Sequence, residues 1–145
     1  MILTTGRQVI DAAKENKVID LPLQAKELTA GLDWAGNSGR LIANLLFKEE
    51  CFCEAYTVSS AQNLTWGEVA ELYTELLGAK FSWVSLEEFR KATNDYNVYA
   101  LLYDRLFDRN IDNRKILKAT GLTNNDFISV KDGLKIELSL LNKEN

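Results

Sequence analysis

Thr65-Trp-Gly-Glu-Val-Ala-Glu-Leu-Tyr-Thr-Glu-Leu-Leu-Gly-Ala-Lys-Phe-Ser-Trp-Val84 decides the fold class of this chain. Thr65 and Glu68 have the capping-box spacing that closes a helix start, and Trp66, Val69, Ala70, Tyr73, Leu76 and Leu77 line one helical face. Gly78 stops the helix, because glycine enters the left-handed region without a Cβ penalty. Lys80-Phe-Ser-Trp-Val84 follows at once as a strand. A helix running straight into a strand predicts an α/β protein, α+β-like in having few strands, and the rest of the chain makes it helix-rich.

Downstream, Ser85 and Glu88 repeat the capping-box pattern ahead of Leu86 and Phe89, and residues 96–107 form an apolar stretch rich in Tyr and Leu that predicts a further helix. Asp112 is expected as the cap of the next helix, with Ile116, Leu117 and Ala119 inside it and Gly121 ending it. A last amphipathic helix holds Leu134, Ile136, Leu138 and Leu141, and residues 142–145 are expected to fray. Upstream, residues 6–16 carry Val9, Ile10, Ala12 and Ala13 on a helical period, and residues 17–22 read as a strand ended by Pro22, the sole proline. Residues 24–36 read as a surface connection. Asn37 or Ser38 is expected to cap a helix striped by Leu41, Ile42, Leu45 and Leu46, and Glu54-Ala-Tyr-Thr-Val58 alternates like a strand. The expectation is six or seven helices and about three short strands in a single domain over 1–145, without internal repeats.

Composition narrows the chemistry. The chain has 145 residues, 46% of them hydrophobic and 26% charged, a globular balance. A net charge of −4 does not suit a dedicated nucleic-acid binder, which needs a basic face. No apolar run reaches the ~18–20 residues that span a bilayer, and residues 1–5 carry no signal-peptide core, so a soluble cytoplasmic protein is expected. Cys51 and Cys53, one residue apart, are expected to be free thiols. The absence of histidine removes Ser-His and Cys-His pairs and imidazole ligands, and two cysteines do not make a structural zinc site.

The charged segment Asp104-Arg-Leu-Phe-Asp-Arg-Asn-Ile-Asp-Asn-Arg-Lys115 surrounds a helix start with Arg105, Arg109, Arg114 and Lys115. Free helix N–H groups and guanidinium forks suit a phosphate or carboxylate; a capped surface helix with solvated charges fits the same spacing. Gly31-Leu-Asp-Trp-Ala-Gly-Asn-Ser38 has P-loop spacing, but Asn37 stands where the phosphate-binding Lys is required, so a loop leading into a helix is the better reading. No G-x-G-x-x-G turn and no Tyr followed four residues later by Lys occurs. Trp66 and Trp83 sit in core-like patterns. Trp34 lies in the irregular stretch and is the aromatic candidate for stacking on a ligand.

Glu54-Ala-Tyr-Thr-Val58, Leu64-Thr-Trp-Gly-Glu68, Leu77-Gly-Ala-Lys80, Arg109-Asn-Ile-Asp-Asn-Arg-Lys-Ile116 and Gly133-Leu-Lys135 follow one another in order. This ordered set resembles the C-terminal part of NAD-dependent epimerase/dehydratase proteins, the extended short-chain dehydrogenase/reductases acting on nucleotide sugars, over residues 6–141. The resemblance implies a lobe closing over a nucleotide-sugar, with Arg109 meeting its diphosphate, Asp112 capping the helix and Lys115 packing or pairing nearby. Arg105 and Trp34 complete the expected substrate-binding set. One departure is Asn37 in place of the family's helix-start Asp; another is the absence of the Rossmann half. The chain is therefore expected to bind no cofactor alone, NAD belonging to the parent family, and to perform no hydride chemistry unaided. Its partners would be a diphosphate ligand and either a second copy or a Rossmann domain, with no nucleic acid or membrane. The alternative is a stand-alone small-molecule-binding or protein-interaction module that self-associates through an apolar face, to which residues 54–58 and 96–107 would contribute.

Overall fold

The structure, a computed structural model, describes residues 6–92, 99, 102–103 and 106–141. The expected helix at 96–107 falls for the most part outside these residues, as do Arg105 and residues 142–145. In chain order the described elements are α1 (Gly6–Lys14), β1 (Val18–Pro22), α2 (Ala35–Leu45), α3 (Trp66–Leu77), β2 (Lys80–Val84), α4 (Leu86–Ala92), α5 (Arg114–Thr120) and α6 (Val130–Leu141). Single 3-10 turns sit at Leu23–Ala25, Glu49–Cys51 and Asn124–Asp126. Six helices and two short strands give the helix-rich α/β class expected.

The chain divides into two compact units, one holding Leu64–Arg109 with the residues up to Ala30, the other holding Gly31–Asn63 with the residues from Asn110 onward. In the first unit β1 and β2 pair in parallel, Val18 opposite Lys80 through Pro22 opposite Val84. α1 packs on β1 and α3, α3 packs on β2, and α4 lies against β1. Val9, Leu21, Ala25, Trp66, Val69, Ala70, Tyr73 and Ala79 are buried there. Burial raises the Tyr73 phenol above its ordinary value, since the ionised form would lose solvation.

The helix start at Trp66 is closed completely. Trp66 N–H donates to Leu28 O (3.0 Å), Gly67 N–H to Lys26 O (2.9 Å), Glu68 N–H to Thr65 Oγ1 (3.2 Å) and Val69 N–H to Thr65 O (3.0 Å). The Glu68 carboxylate returns the box, accepting from Thr65 N–H at 2.7 Å. All four orphan donors of α3 therefore have partners. Gly78 stops the helix at φ 66°, as its sequence position predicts.

The second unit packs α2 on α5, each supplying a fully buried side chain, Leu41 and Ile116. Its interior is otherwise polar: Asn37, Ser59, Ser60, Asn113 and Thr120 are all buried. Three sequence expectations change here. Residues 54–58 form no strand, because no described strand lies alongside them and Lys115 Nζ takes the Ala55 carbonyl (2.9 Å). The α2 helix starts at Ala35, so neither Asn37 nor Ser38 is its cap. Ile136 and Leu141 of α6 are exposed, while Gly133 is the residue that helix buries.

Replacing Thr65 by Ala removes the cap acceptor of α3. It is expected to destabilise the protein by about 1 kcal/mol, read as a lowered urea midpoint with unchanged slope.

Candidate functional site

From Asp108 onward the charged segment before α5 is tied down by a series of hydrogen bonds. In the first unit, Thr29 N–H donates to Asp108 Oδ1 (3.0 Å) and Arg109 N–H donates to Thr29 O (3.3 Å). These bonds from Thr29 hold the Asp108 carboxyl below its ordinary range. Arg109 is half-buried. In the second unit, the Asn63 side chain brackets the backbone of Ile111, accepting from its N–H (3.0 Å) and donating to its carbonyl (3.1 Å). Asn63 also reaches Asn110 Oδ1 at 2.8 Å.

Asn113 occupies the backbone cap position of α5, and its side chain turns inward to donate to Ser60 O (3.1 Å) and Asn124 Oδ1 (3.3 Å). The carboxylate service comes from Asp112, one residue earlier. Its Oδ1 accepts the Arg114 N–H (2.9 Å), and both oxygens accept from the Arg114 guanidinium. The chain's own carboxylate thus sits where an external anion would bind a helix start. The helix has only seven residues, which gives it little dipole of its own. Hydrogen bonding from Arg114 holds the Asp112 carboxyl down at about 2, against an ordinary 3.8.

Lys115 pairs with Glu54 Oε2 (2.7 Å), binds Ala55 O (2.9 Å) and lies 4.9 Å from the Tyr56 ring centroid. The Tyr56 phenol is pushed up to about 12, first by its hydrogen bond with Cys51 and then by lost solvation and neighbouring negative charge. Trp34 is also employed structurally. Its Nε1 donates to Glu137 Oε1 (2.9 Å), and its ring lies against two glycines. A Cβ on Gly133 would fall 2.5 Å from Trp34 Cγ, and one on Gly36 would fall 2.1 Å from Cζ3. Of the four expected substrate-binding residues, Arg109 belongs to the first unit, Trp34 and Lys115 to the second, and Arg105 lies outside the described residues. Trp34 and Lys115 meet different partners, Glu137 and Glu54.

Sequence reasoning missed Asp33. Its carboxylate accepts from Trp34 N–H (3.0 Å), Ser38 Oγ (2.9 Å), Ser60 N–H (2.9 Å) and Ser60 Oγ (2.5 Å). Asn37 extends the network by clasping Ile128, donating to its carbonyl (2.9 Å) and accepting from its N–H (3.2 Å). Asn37 is therefore a packing residue, which explains why P-loop spacing occurs without P-loop chemistry. The available signal was an Asp two residues ahead of the helix.

The first unit also carries an open groove of about 340 Å³. Gly67, Ala70 and Ala79 are among its small lining residues, with Phe81, Trp83, Lys26 and Lys80 also lining it. Among the described residues no group of three Cys, Asp or Glu could hold a metal ion, and no helix is long and apolar enough to cross a membrane. Neither a family model, nor a curated protein, nor a solved structure matches the chain.

Two outcomes follow from this geometry. Gly133→Ala gains at most about 1 kcal/mol of helix propensity but forces a methyl into a rigid indole, costing about 1–3 kcal/mol; chemical denaturation should show net destabilisation. The Asp112 carboxyl, depressed in the folded state, adds stability above its ordinary 3.8 that is lost as pH falls toward about 2. Carboxyl NMR should place its midpoint near 2, and Arg114→Gln should return it toward 3.8.

Proposed function

We propose that this chain is the nucleotide-sugar-binding lobe of an NAD-dependent epimerase/dehydratase-like protein, with the hydride chemistry supplied by residues outside this sequence. The observation that carries the reading is the passage Leu77-Gly-Ala-Lys80. It ends a capped helix in a left-handed glycine and delivers the chain directly into a strand that runs parallel to β1. Parallel pairing requires a long crossover and belongs to α/β proteins of the expected kind. Two further motifs of the ordered set fall at element boundaries: Leu64-Thr-Trp-Gly-Glu68 is the closed start of α3, and Arg109 to Ile116 leads into α5.

Asp33 supports the same reading. The resemblance expects an acidic residue at the start of the helix that holds Leu41, and the substitution at Asn37 looks like its loss. With α2 beginning at Ala35, Asp33 stands at that start, and its charge is held by Ser38 and Ser60. Arg109 is the residue assigned to the ligand, its guanidinium meeting the diphosphate as a bidentate donor. Asp112 and Arg114 serve each other and are assigned no ligand role.

Thermal-shift measurements with UDP-, GDP- and dTDP-sugars test this, because a ligand that binds only the native state raises its melting temperature. At least one series is expected to stabilise the protein, and Arg109→Ala should weaken that binding by the ~1.5–3 kcal/mol of a charge-assisted hydrogen bond. No response to any of the three, or micromolar NAD affinity of the chain alone, overturns the reading.

A further inference from the structure

The groove of the first unit carries charge that the fold itself does not use. All of its lining residues belong to that unit, on α3, on β2 and at Lys26 ahead of α3. Its volume of about 340 Å³ falls at the lower end of small-molecule sites, roughly 300–1,000 Å³. Gly67, Ala70 and Ala79 are buried and small, which lets a flat group approach the backbone closely. Phe81 and Trp83 stand two apart on β2 and so share one side of the strand.

Lys26 is the informative residue. A Cβ on Gly67 would lie 3.2 Å from Lys26 Cγ and 3.6 Å from its Cε, so the half-buried lysine stem passes across the first turn of α3. Its ammonium ends 6.0 Å from the Trp83 ring centroid, at the limit of a cation–π contact. Among the described residues neither Lys26 nor Lys80 forms an ion pair. A cation beside a helix start opposes the helix dipole, and Glu68 of the same turn directs its carboxylate to Thr65 N–H instead of pairing with it. Trp83 shows a similar deficit. The indole N–H of Trp34 donates to Glu137, whereas that of Trp83 has no acceptor among the described residues.

We propose that this groove binds a planar aromatic monocarboxylate, its carboxylate on Lys26 and its ring against Phe81 and Trp83. Charge selects the anion. Lys26 and Lys80 against Glu71 leave the lining one positive charge in excess, in a chain whose net charge is −4. One excess charge matches a carboxylate, whereas a phosphate monoester brings about −1.5 to −2 and sets its surplus against Glu71. The aromatic pair selects a flat ring, which stacks or meets an edge where an alkyl chain cannot. A rigid ring also loses less freedom on binding than a flexible chain of the same size. The proposal stands apart from the nucleotide-sugar reading, because Arg109 does not line this groove.

Amide NMR titration of the whole chain with naphthoate tests it, alongside neutral naphthamide, ringless acetate and dianionic naphthyl phosphate. Naphthoate is expected to shift the amides of Lys26, Gly67, Ala70 and Lys80 and to saturate in the low millimolar range. Naphthamide and acetate should each bind about tenfold more weakly, and naphthyl phosphate no more tightly than naphthoate. Lys26→Gln keeps the stem but removes the charge, and should lower naphthoate affinity by about tenfold; Lys26→Arg should retain it. Arg109→Ala should leave naphthoate binding intact, which separates this site from the diphosphate reading. Amide spectra unchanged away from the groove confirm that each variant keeps the parent fold. Absence of shifts up to the solubility of naphthoate overturns the proposal. So does naphthamide or acetate binding as well as naphthoate, naphthyl phosphate binding more tightly, or a naphthoate affinity indifferent to Lys26→Gln.

Discussion

The Asp33 carboxylate is the anchor on which the second unit depends. A carboxylate only accepts hydrogen bonds, and Asp33 receives five, from Trp34 N–H, the Asn37 amide, the Ser38 hydroxyl and the N–H and hydroxyl of Ser60. The Ser60 carbonyl then accepts from Asn113, which tethers the start of α5, and Asn37 clasps Ile128 just ahead of α6. Gln62 doubles that clasp, donating to Ile128 O (2.7 Å) and accepting from Val130 N–H (2.7 Å). Three helix starts are thereby fixed by one chain of polar contacts. Such networks are costly when half-satisfied and rigid when complete. Here no buried side-chain donor or acceptor among the described residues lacks a partner.

The first unit is held differently. Its interior is apolar, and its polar requirement is met mainly by backbone, through the parallel β1–β2 ladder and the 26–30 segment that closes the start of α3. Gly67 shows how closely that segment approaches: a Cβ there would lie 3.2 Å from both the Lys26 carbonyl oxygen and its Cγ. One unit thus relies on apolar burial and the other on polar complementarity, although both are built from helices of similar length.

That contrast explains what the sequence made legible. The capping boxes at Thr65/Glu68 and Ser85/Glu88, the stops at Gly78 and Gly121, and the strands around Leu21 and Phe81 are local in origin and were readable. Asp33, Asn37 and Asn113 act over separations of 27, 91 and 53 residues, and no spacing rule reports such pairs. Trp34 reads as a ligand platform because an aromatic in an irregular stretch has no visible partner. Its partners, Gly133 and Glu137, arrive from the last helix. Residues 54–58 have the composition of a strand, but a strand also needs a neighbour, and composition does not supply one.

The three tryptophans are distributed so that the protein carries its own optical probes. Trp66 and Trp83 belong to the first unit, one buried and one beside the Lys26 ammonium at 6.0 Å. Trp34 belongs to the second and is wedged between glycines with its indole N–H on a carboxylate. Emission from a chain retaining only Trp34 reports the polar-anchored unit, and emission from one lacking it reports the apolar-cored unit. The ring that looked like a binding surface is thus a native spectroscopic label, able to reveal whether the two units melt together or in sequence.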